Sequence, residues 1–597
     1  LQVFICFNEG VITIEYELIN PINENYSALE QVLTNRGMAY EDIPHYLNVT
    51  NSDNLSPLKL KNIEKAAQII IKHISNDDAR IYVQVDSDCD GYTASAVLLN
   101  YLGRQFPSAI EKFSYDFHDG KVHGINTSLI PEGTTLVIAP DSSSNDYDIH
   151  QELKEKGIDV VVLDHHLAER ESEYACVVNN QLCDYPTKSL SGVGIVYKFC
   201  QYLDSICGTA YADDYLDIVG CGIQGDMMNL QDFETHYLVQ EGLRRAHLRN
   251  PFIKGMAQKN EYQLGTEDLT PMGVSFYIVP LVNAITRVGT QEEKRLVFES
   301  MLEWKADELI PSTKRGCKGQ LETRVEQALR TCTNVKNRQT KVRDASAAQI
   351  ESIIEQDNLL SHKLLLIRVR ELAVDPGVRG LIANELMSKY KRPVAILSPV
   401  ETEGELVWAG SARGYERSKL TDFRSFCESS GLVNYATGHN NAFGLAIPDR
   451  NFEEFVSWSE EQLKDIEFSP CYKVDFIYSG STVKAESILE IGDAKALWGQ
   501  GLEEPLIVIE NLPVTRDMVT LMSRDRNPTL KILLPNGIAC IKFRSSEEEL
   551  ESLTSNELGC VNMNIIGRAE VNKYFNRVTP QILVVDYEIL GRQKYYF

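Results

Sequence analysis

The stretch Val83–Ser95, VQVDSDCDGYTAS, sets carboxylates at Asp86, Asp88 and Asp90 directly before Gly91. Three acids at every second position either share a cation or repel one another. The pattern D-x-D-x-D-G also opens an EF-hand calcium loop, which needs a helix before it and a Glu at about its twelfth position. Counted from Asp86 that position is Val97. The stretch also follows IYVQVD (81–86), an apolar, β-branched run of strand character. The three acids therefore read as a strand end, where residues i and i+2 point the same way.

Two further apolar runs close in the same fashion. TTLVIAPD (134–141) ends on Asp141, DVVVLDHH (159–166) ends on Asp164, His165 and His166, and the loop GIQGDMM supplies Asp226. Strands that are apolar throughout and alternate with helical segments predict a parallel sheet covered on both faces. In such sheets ligands bind at the carboxyl ends of the strands, where these acids lie. Several carboxylates with imidazole, and no thiolate, make a hard oxygen and nitrogen site suited to Mn²⁺ or Mg²⁺. Two such ions can bridge a water and clamp a phosphoryl group for in-line attack. Taken singly, an Asp at a strand end is commonly a helix N-cap, and a lone His a hydrogen-bonded surface or core residue. That plainer reading is kept for His45, His73, His118, His150, His236, His247 and His362. Four acidic motifs in register with four α/β units argue for a site.

The chain has 597 residues, too many for one hydrophobic core, so three or four compact units are expected. A net charge of −26 argues against a uniformly basic nucleic-acid-binding surface and against a membrane-surface protein. A polyanionic ligand then needs a locally basic groove or metal ions. The thirteen cysteines include no CxxC pair, which argues against a zinc ribbon or a thioredoxin-type site. Their odd number, with no secretory leader in LQVFICFNEGVITIEYELI, predicts reduced thiols in a cytosol. No apolar run is long enough to span a membrane.

Texture along the chain divides it into a hairpin and helical segment (1–75), an α/β unit carrying the acidic motifs (76–250) and a helical connector (251–345). The second half of the connector is locally basic, from Lys314 to Arg343, which on priors is a solvated helix face. A second, smaller α/β unit follows (346–465), then a module of short alternating strands (466–597) sized for a small barrel such as an OB-fold.

In order, DSDCDG (86–91), PDSSSND (140–146), LDHH (163–166) and GDMMNL (225–230) resemble the four motifs of the DHH phosphoesterase superfamily, and within it the RecJ-type exonucleases. LTNRG (33–37), YPTKSLSGVGIVYK (185–198), VPLVNAITRVG (279–289), GSARG (410–414), TGHNNAFGL (437–445), WGQGLEEP (498–505) and VNKYFNRVTPQILVVDYEI (571–589) extend the resemblance over nearly the whole chain. There are departures: Gln84 stands where the family often has a His, Val374-Asp375 replaces a Trp-His pair, and Thr437 precedes Gly438-His439 where the family has GGH.

The resemblance implies an α/β multidomain fold: a parallel-sheet DHH phosphoesterase domain, a helical connector, a smaller DHH-associated α/β domain and a C-terminal OB-like β-barrel. It implies a metal-dependent exonuclease that hydrolyses single-stranded DNA from the 5′ end to 5′-mononucleotides, in DNA repair and recombination. Two ions, Mn²⁺ or Mg²⁺, are implied: one on Asp86 and Asp88, one on Asp90, His165 and Asp226, with Asp141 bridging. His166 is implied at the scissile phosphate or leaving oxygen, with Asp164 orienting the imidazoles. Ser411 and Arg413 are expected to receive the 5′ end, with Arg287 and His439 as further phosphate contacts. Tyr574 and Phe575 are candidate base-stacking residues. Single-stranded DNA, with a helicase or single-strand-binding protein, is the implied partner set, for a cytoplasmic monomer away from any membrane. Shorter DHH proteins act on short oligoribonucleotides or cyclic dinucleotides, and relatives without ligands serve as replication scaffolds. The strand module and connector argue for a longer polymer, and the complete ligand set argues against a scaffold.

Overall fold

The computed structural model describes residues 14–594 apart from 121, 318, 371–373, 403, 467, 469–470, 481, 524–525, 555–558 and 575–576. Most of the hairpin expected over the first nineteen residues lies outside them. The described strand there, Glu15–Leu18, pairs in parallel with Cys471–Val474. The chain forms two compact units, one of residues 41–340 with 496–503, the other of the described residues in 1–40, 341–495 and 504–597.

In the first unit, five strands form a wholly parallel sheet: β1 (Ile81–Val85), β2 (Phe113–Phe117), β3 (Leu136–Pro140), β4 (Asp159–Asp164) and β5 (Cys176–Asn179). Their spatial order is β2-β1-β3-β4-β5. β1 and β3 are buried at every residue, the signature of strands covered on both faces. One face packs Tyr82, Val137, Ala139, Val160 and Val162 against Leu153. Helices α1 (Cys89–Gln105), α2 (Gly192–Cys207) and α3 (Leu216–Gly225) pack on one another in the same unit. From β1 the chain goes to one edge with β2, then returns past β1 to lay down β3, β4 and β5. The crevice at the carboxyl ends of β1 and β3 is thus a topological switch point, where such sheets bind ligands. Helix α4 (Val279–Val288) belongs to this unit as well.

The second unit holds a five-stranded sheet of β6 (Leu365–Arg368), β7 (Val394–Thr402), β8 (Glu405–Arg413), β9 (Tyr435–His439) and β10 (Ala442–Pro448), in order β9-β10-β8-β7-β6. Strand alternation feeds two cores. Leu364 and Leu366 face Phe452 and Phe455, while Leu365 and Ile367 face Val378, Ile382 and Leu386 of helix α5 (Pro376–Tyr390).

The C-terminal module is larger than the small OB-like barrel expected. Seven strands, β11 (Phe476–Ser479), β12 (Ile507–Thr515), β13 (Val519–Met522), β14 (Thr529–Leu533), β15 (Ala539–Phe543), β16 (Gly559–Tyr574) and β17 (Arg577–Lys594), form one mixed sheet. Its order is β11-β12-β16-β17-β15-β14-β13, and among the described residues no ladder joins β11 to β13. The long β16–β17 hairpin dominates it, because two strands of sixteen and eighteen residues supply more pairing than short barrel strands do.

Candidate metal centre

Asp86 follows the last residue of β1 and is fully buried. Two residues on, Asp88 is the N-cap of α1, its Oδ1 accepting the Gly91 N–H at 3.1 Å. Asp88 is thus a helix cap as well as a candidate ligand. Asp90 points at the start of α2: its carboxylate accepts bonds from Ser191 Oγ (3.1 Å), Gly192 N (2.6 Å) and Val193 N (3.2 Å). The positive end of a helix dipole suits a carboxylate there. The Cys89 N–H donates to Asn283 Oδ1 at 3.0 Å, which ties the same loop to α4.

Asp141, just past β3, has a left-handed backbone (φ 65°), as do Ser143 (φ 80°) and Met227 (φ 52°), next to Asp226. Left-handed conformations are uncommon for residues other than glycine and gather at functional sites. Gly192 lets Asp141 approach α2, since a Cβ at Gly192 would stand 2.3 Å from Asp141 Oδ1.

These turns assemble three donor groups, each with ligand atoms within 4.8 Å of one another: Asp86, Asp88 and His123; Asp90, His165 and Asp226; Asp141, Asp164, His165 and His166. His165 Nε2 lies 3.3 Å from Asp141 Oδ1 and 3.2 Å from Asp226 Oδ2. Both His165 Nε2 and Asp141 Oδ1 are buried without a hydrogen-bond partner among the described residues. Buried polar atoms left unpaired are costly, and a cation between them removes the cost. The donor set, carboxylate oxygens with imidazole nitrogens, fits Mn²⁺ or Mg²⁺.

Titration behaviour points the same way. Burial raises the carboxyl pKa of Asp86, and raises those of Asp141 and Asp226 well above the usual range, with the neighbouring carboxylates adding to it. Burial also lifts Asp90 to about 6, and the charge of Asp88 adds to that. So many like charges in one crevice call for a positive partner.

The two adjacent histidines are driven apart. Burial, helped by the charge of His166, lowers His165 to about 4, so its ring is neutral and its lone pair available. Burial works against the proton of His166 too, but the hydrogen bond and charge of Asp164 raise it to about 9. Asp164 itself is pushed up by burial yet held well below the carboxylate range, first by its bond from His166. Its Oδ1 lies 2.8 Å from His166 Nδ1 and accepts the His165 N–H at 2.8 Å, while its Oδ2 accepts the Ser144 N–H at 3.1 Å. Burial thus leaves a neutral ring at His165, beside the His166 ring that Asp164 keeps protonated.

Of the other residues singled out from sequence, Arg287 on α4 stands one helical turn beyond Asn283. Burial lowers its pKa, with the charge of Asp88 acting the other way, and its Nε has no hydrogen-bond partner among the described residues. Ser411, Arg413 and His439 belong to the second unit. Arg413 on β8 and His439 on β9 are both paired with Ala442 of β10, and Ser411 is two residues from Arg413. All three therefore present to one face of that sheet. Phe575 and the side chain of Tyr574 lie outside the described residues. Sequence reasoning passed over His123, Asn283 and the close approach of Gly192. The loop HDGKVHGIN (118–126) holds two His, His118 and His123, with no spacing signal to single out either, and contacts between distant segments have none.

Residues 80–223 match the model of the DHH family, N-terminal domain. The “Putative SPbeta prophage-derived single-strand DNA-specific exonuclease YorK” of Bacillus subtilis (strain 168) is 35% identical over 582 residues, covering 96% of this chain and 98% of that protein. The single-stranded-DNA-specific exonuclease RecJ of the same bacterium is 24% identical over 555 residues, 91% of this chain and 65% of RecJ. Among solved structures, RecJ from Thermus thermophilus in complex with Mn²⁺ superimposes with a TM-score of 0.68 at 18% identity, over 96% of this chain and 79% of that one. At that identity the likeness is one of fold.

Proposed function

Because the chain belongs to the RecJ-like branch of the DHH family, we propose that it degrades single-stranded DNA from the 5′ end, releasing 5′-mononucleotides with the help of two Mn²⁺ or Mg²⁺ ions. The observation that carries this reading is the unpaired, buried contact of His165 Nε2 with Asp141 Oδ1 at the switch-point crevice. In this reading Asp86 and Asp88 would hold one ion and Asp90, His165 and Asp226 the other, with Asp141, beside His165, as a further ligand.

When bound, the ions neutralise the phosphoryl oxygens and make an attacking water acidic. The chain's own residues supply orientation and protons. Asp164 holds the His166 ring by Nδ1 and keeps it protonated at neutral pH, which leaves Nε2–H to donate to a phosphate oxygen or the leaving oxygen. The largely buried Arg287 guanidinium offers a further donor for phosphate, and it is well suited to paired contacts. In the second unit, Ser411, Arg413 and His439 on one sheet face are the proposed receptor for the 5′ phosphate. A role in repair or recombination, alongside a helicase or single-strand-binding protein, belongs to the same proposal.

The test is digestion of 5′- and 3′-labelled single strands and duplexes with Mn²⁺ or Mg²⁺, with a cyclic dinucleotide as control. Early release of labelled mononucleotide from 5′-labelled single strands is expected, with loss of hydrolysis in Asp88→Ala and His165→Ala proteins that still melt cooperatively. Release from the 3′ end refutes the polarity. Full Mn²⁺-dependent activity in both variants refutes the metal assignment.

A further inference from the structure

His123 does not belong to any of the four acidic motifs, yet its Nδ1 stands 2.5 Å from Asp86 Oδ2. Its ligand atom lies within 4.8 Å of those of Asp86 and Asp88. The loop that carries it, between β2 and β3, is fastened at three successive backbone amides. The Gly124 N–H donates to Asp86 Oδ1 at 3.3 Å, the Ile125 N–H to Asp146 Oδ2 at 3.1 Å and the Asn126 N–H to Gln84 Oε1 at 3.1 Å. Gly124 is left-handed (φ 91°), and a Cβ there would stand 2.6 Å from Asp146 Oδ2, so the chain passes where only glycine fits.

Gln84 lies on β1 two residues before Asp86, on the same side of the strand, and is fully buried. Its amide is committed elsewhere. Besides the Asn126 N–H, Oε1 accepts the Tyr82 hydroxyl at 3.3 Å, and Nε2 donates to Val85 O at 3.4 Å and Asp116 O at 3.5 Å. The strand therefore contributes an anchor for the loop, and the loop contributes the imidazole.

We propose that His123 is a ligand of the cation held by Asp86 and Asp88, presented by the β2–β3 loop, with Gln84 as a positioning residue for that loop. The proposal rests on the two-ion reading above. A cation bound there would replace the direct contact of Nδ1 with Asp86 Oδ2. An imidazole in that shell favours Mn²⁺ over Mg²⁺, which prefers oxygen ligands.

The experiment is Mn²⁺ binding to the full chain at fixed pH, followed by the EPR signal of free Mn²⁺, with pulsed EPR on histidine-¹⁵N-labelled protein to count imidazole couplings. Wild type should take up two ions and show at least two imidazole couplings. His123→Ala should weaken one site at least about tenfold, lose one coupling and narrow the preference for Mn²⁺ over Mg²⁺. Melting in EDTA checks the fold, and His123→Asn replaces the alanine variant if that one does not melt cooperatively. Two ions in the variant with unchanged affinities and couplings, or a single imidazole coupling in wild type, overturns the role of His123 and leaves the two-ion reading standing. Fewer than two ions in wild type overturns the two-ion reading itself.

Discussion

Replacing Gly192 by Ala tests the architecture of the centre without touching a candidate ligand. The added Cβ would stand 2.3 Å from Asp141 Oδ1, 2.4 Å from its Cβ and 2.6 Å from its Cγ, where ordinary contact begins at 3.4 Å. Because Asp141 Cβ is among the atoms met, turning the carboxylate does not relieve the overlap. Either the start of α2 or the strand-end turn at Asp141 must move by about 1 Å, a displacement that can cost about 100-fold in rate at a reacting centre. The same movement loosens the Gly192 N–H bond that Asp90 accepts at 2.6 Å. Overpacking of this kind costs about 1–3 kcal/mol of stability, so the protein should remain folded. Single-turnover hydrolysis of labelled single-stranded DNA with saturating Mn²⁺ should fall about 100-fold, and Mn²⁺ affinity should weaken with it. Gly194→Ala serves as control, since a Cβ there meets the movable Leu190 side chain at 3.1 Å. Gly192→Ala protein with a rate within about threefold of wild type would show that the placement of Asp141 does not govern the chemistry.

Three further outcomes follow from the electrostatics. In EDTA, the raised carboxyls add stability as pH falls from about 8 to about 5, because they take up protons that the unfolded chain, titrating near about 4, does not yet bind, while the lowered His118, His150, His165 and His236 act the other way. The carboxyls concerned are Asp90, at about 6, and the raised Asp86, Asp141 and Asp226. Asp226→Asn removes one of the raised carboxyls, so its melting temperature should fall relative to wild type as pH is lowered over this range, and a difference that does not change with pH contradicts the raised Asp226. In Asp164→Asn, His166 loses the partner that raises it to about 9, so the alkaline limb of the rate profile should move toward about 6.5. An unmoved limb removes His166 from proton donation. Finally, Lys198 Nζ lies 2.5 Å from Glu234 Oε1, with both side chains buried. Glu234→Gln leaves that ammonium uncompensated and should cost about 3–5 kcal/mol in urea denaturation. A loss below about 1 kcal/mol shows the pair to be solvated.

The first unit was legible where physics writes a local pattern. Buried parallel strands must be apolar throughout, so β1, β3 and β4 stand out, and the polar residues that end them mark the ligand-binding edge. The edge strands β2 and β5 were not read. FSYDF (113–117) is partly exposed and mixed in polarity, and CVVN (176–179) is only four residues long. In the C-terminal module alternation marks β11, β12, β14, β15 and β17 but not β13 or β16, and whether seven strands pair into one mixed sheet depends on partners far away in the chain.

Sequence by itself determined which carboxylates and imidazoles stand at strand ends, because a two-residue period and apolar runs are properties of neighbours. It determined the family as well, through motifs in fixed order. Tertiary structure alone decided what each of those groups meets. It turned Asp90 to the start of α2, left Asp141 Oδ1 and His165 Nε2 unpaired, and brought His123 onto Asp86. Those outcomes depend on distances between segments tens of residues apart, which close packing and hydrogen-bond satisfaction settle only when the whole unit folds.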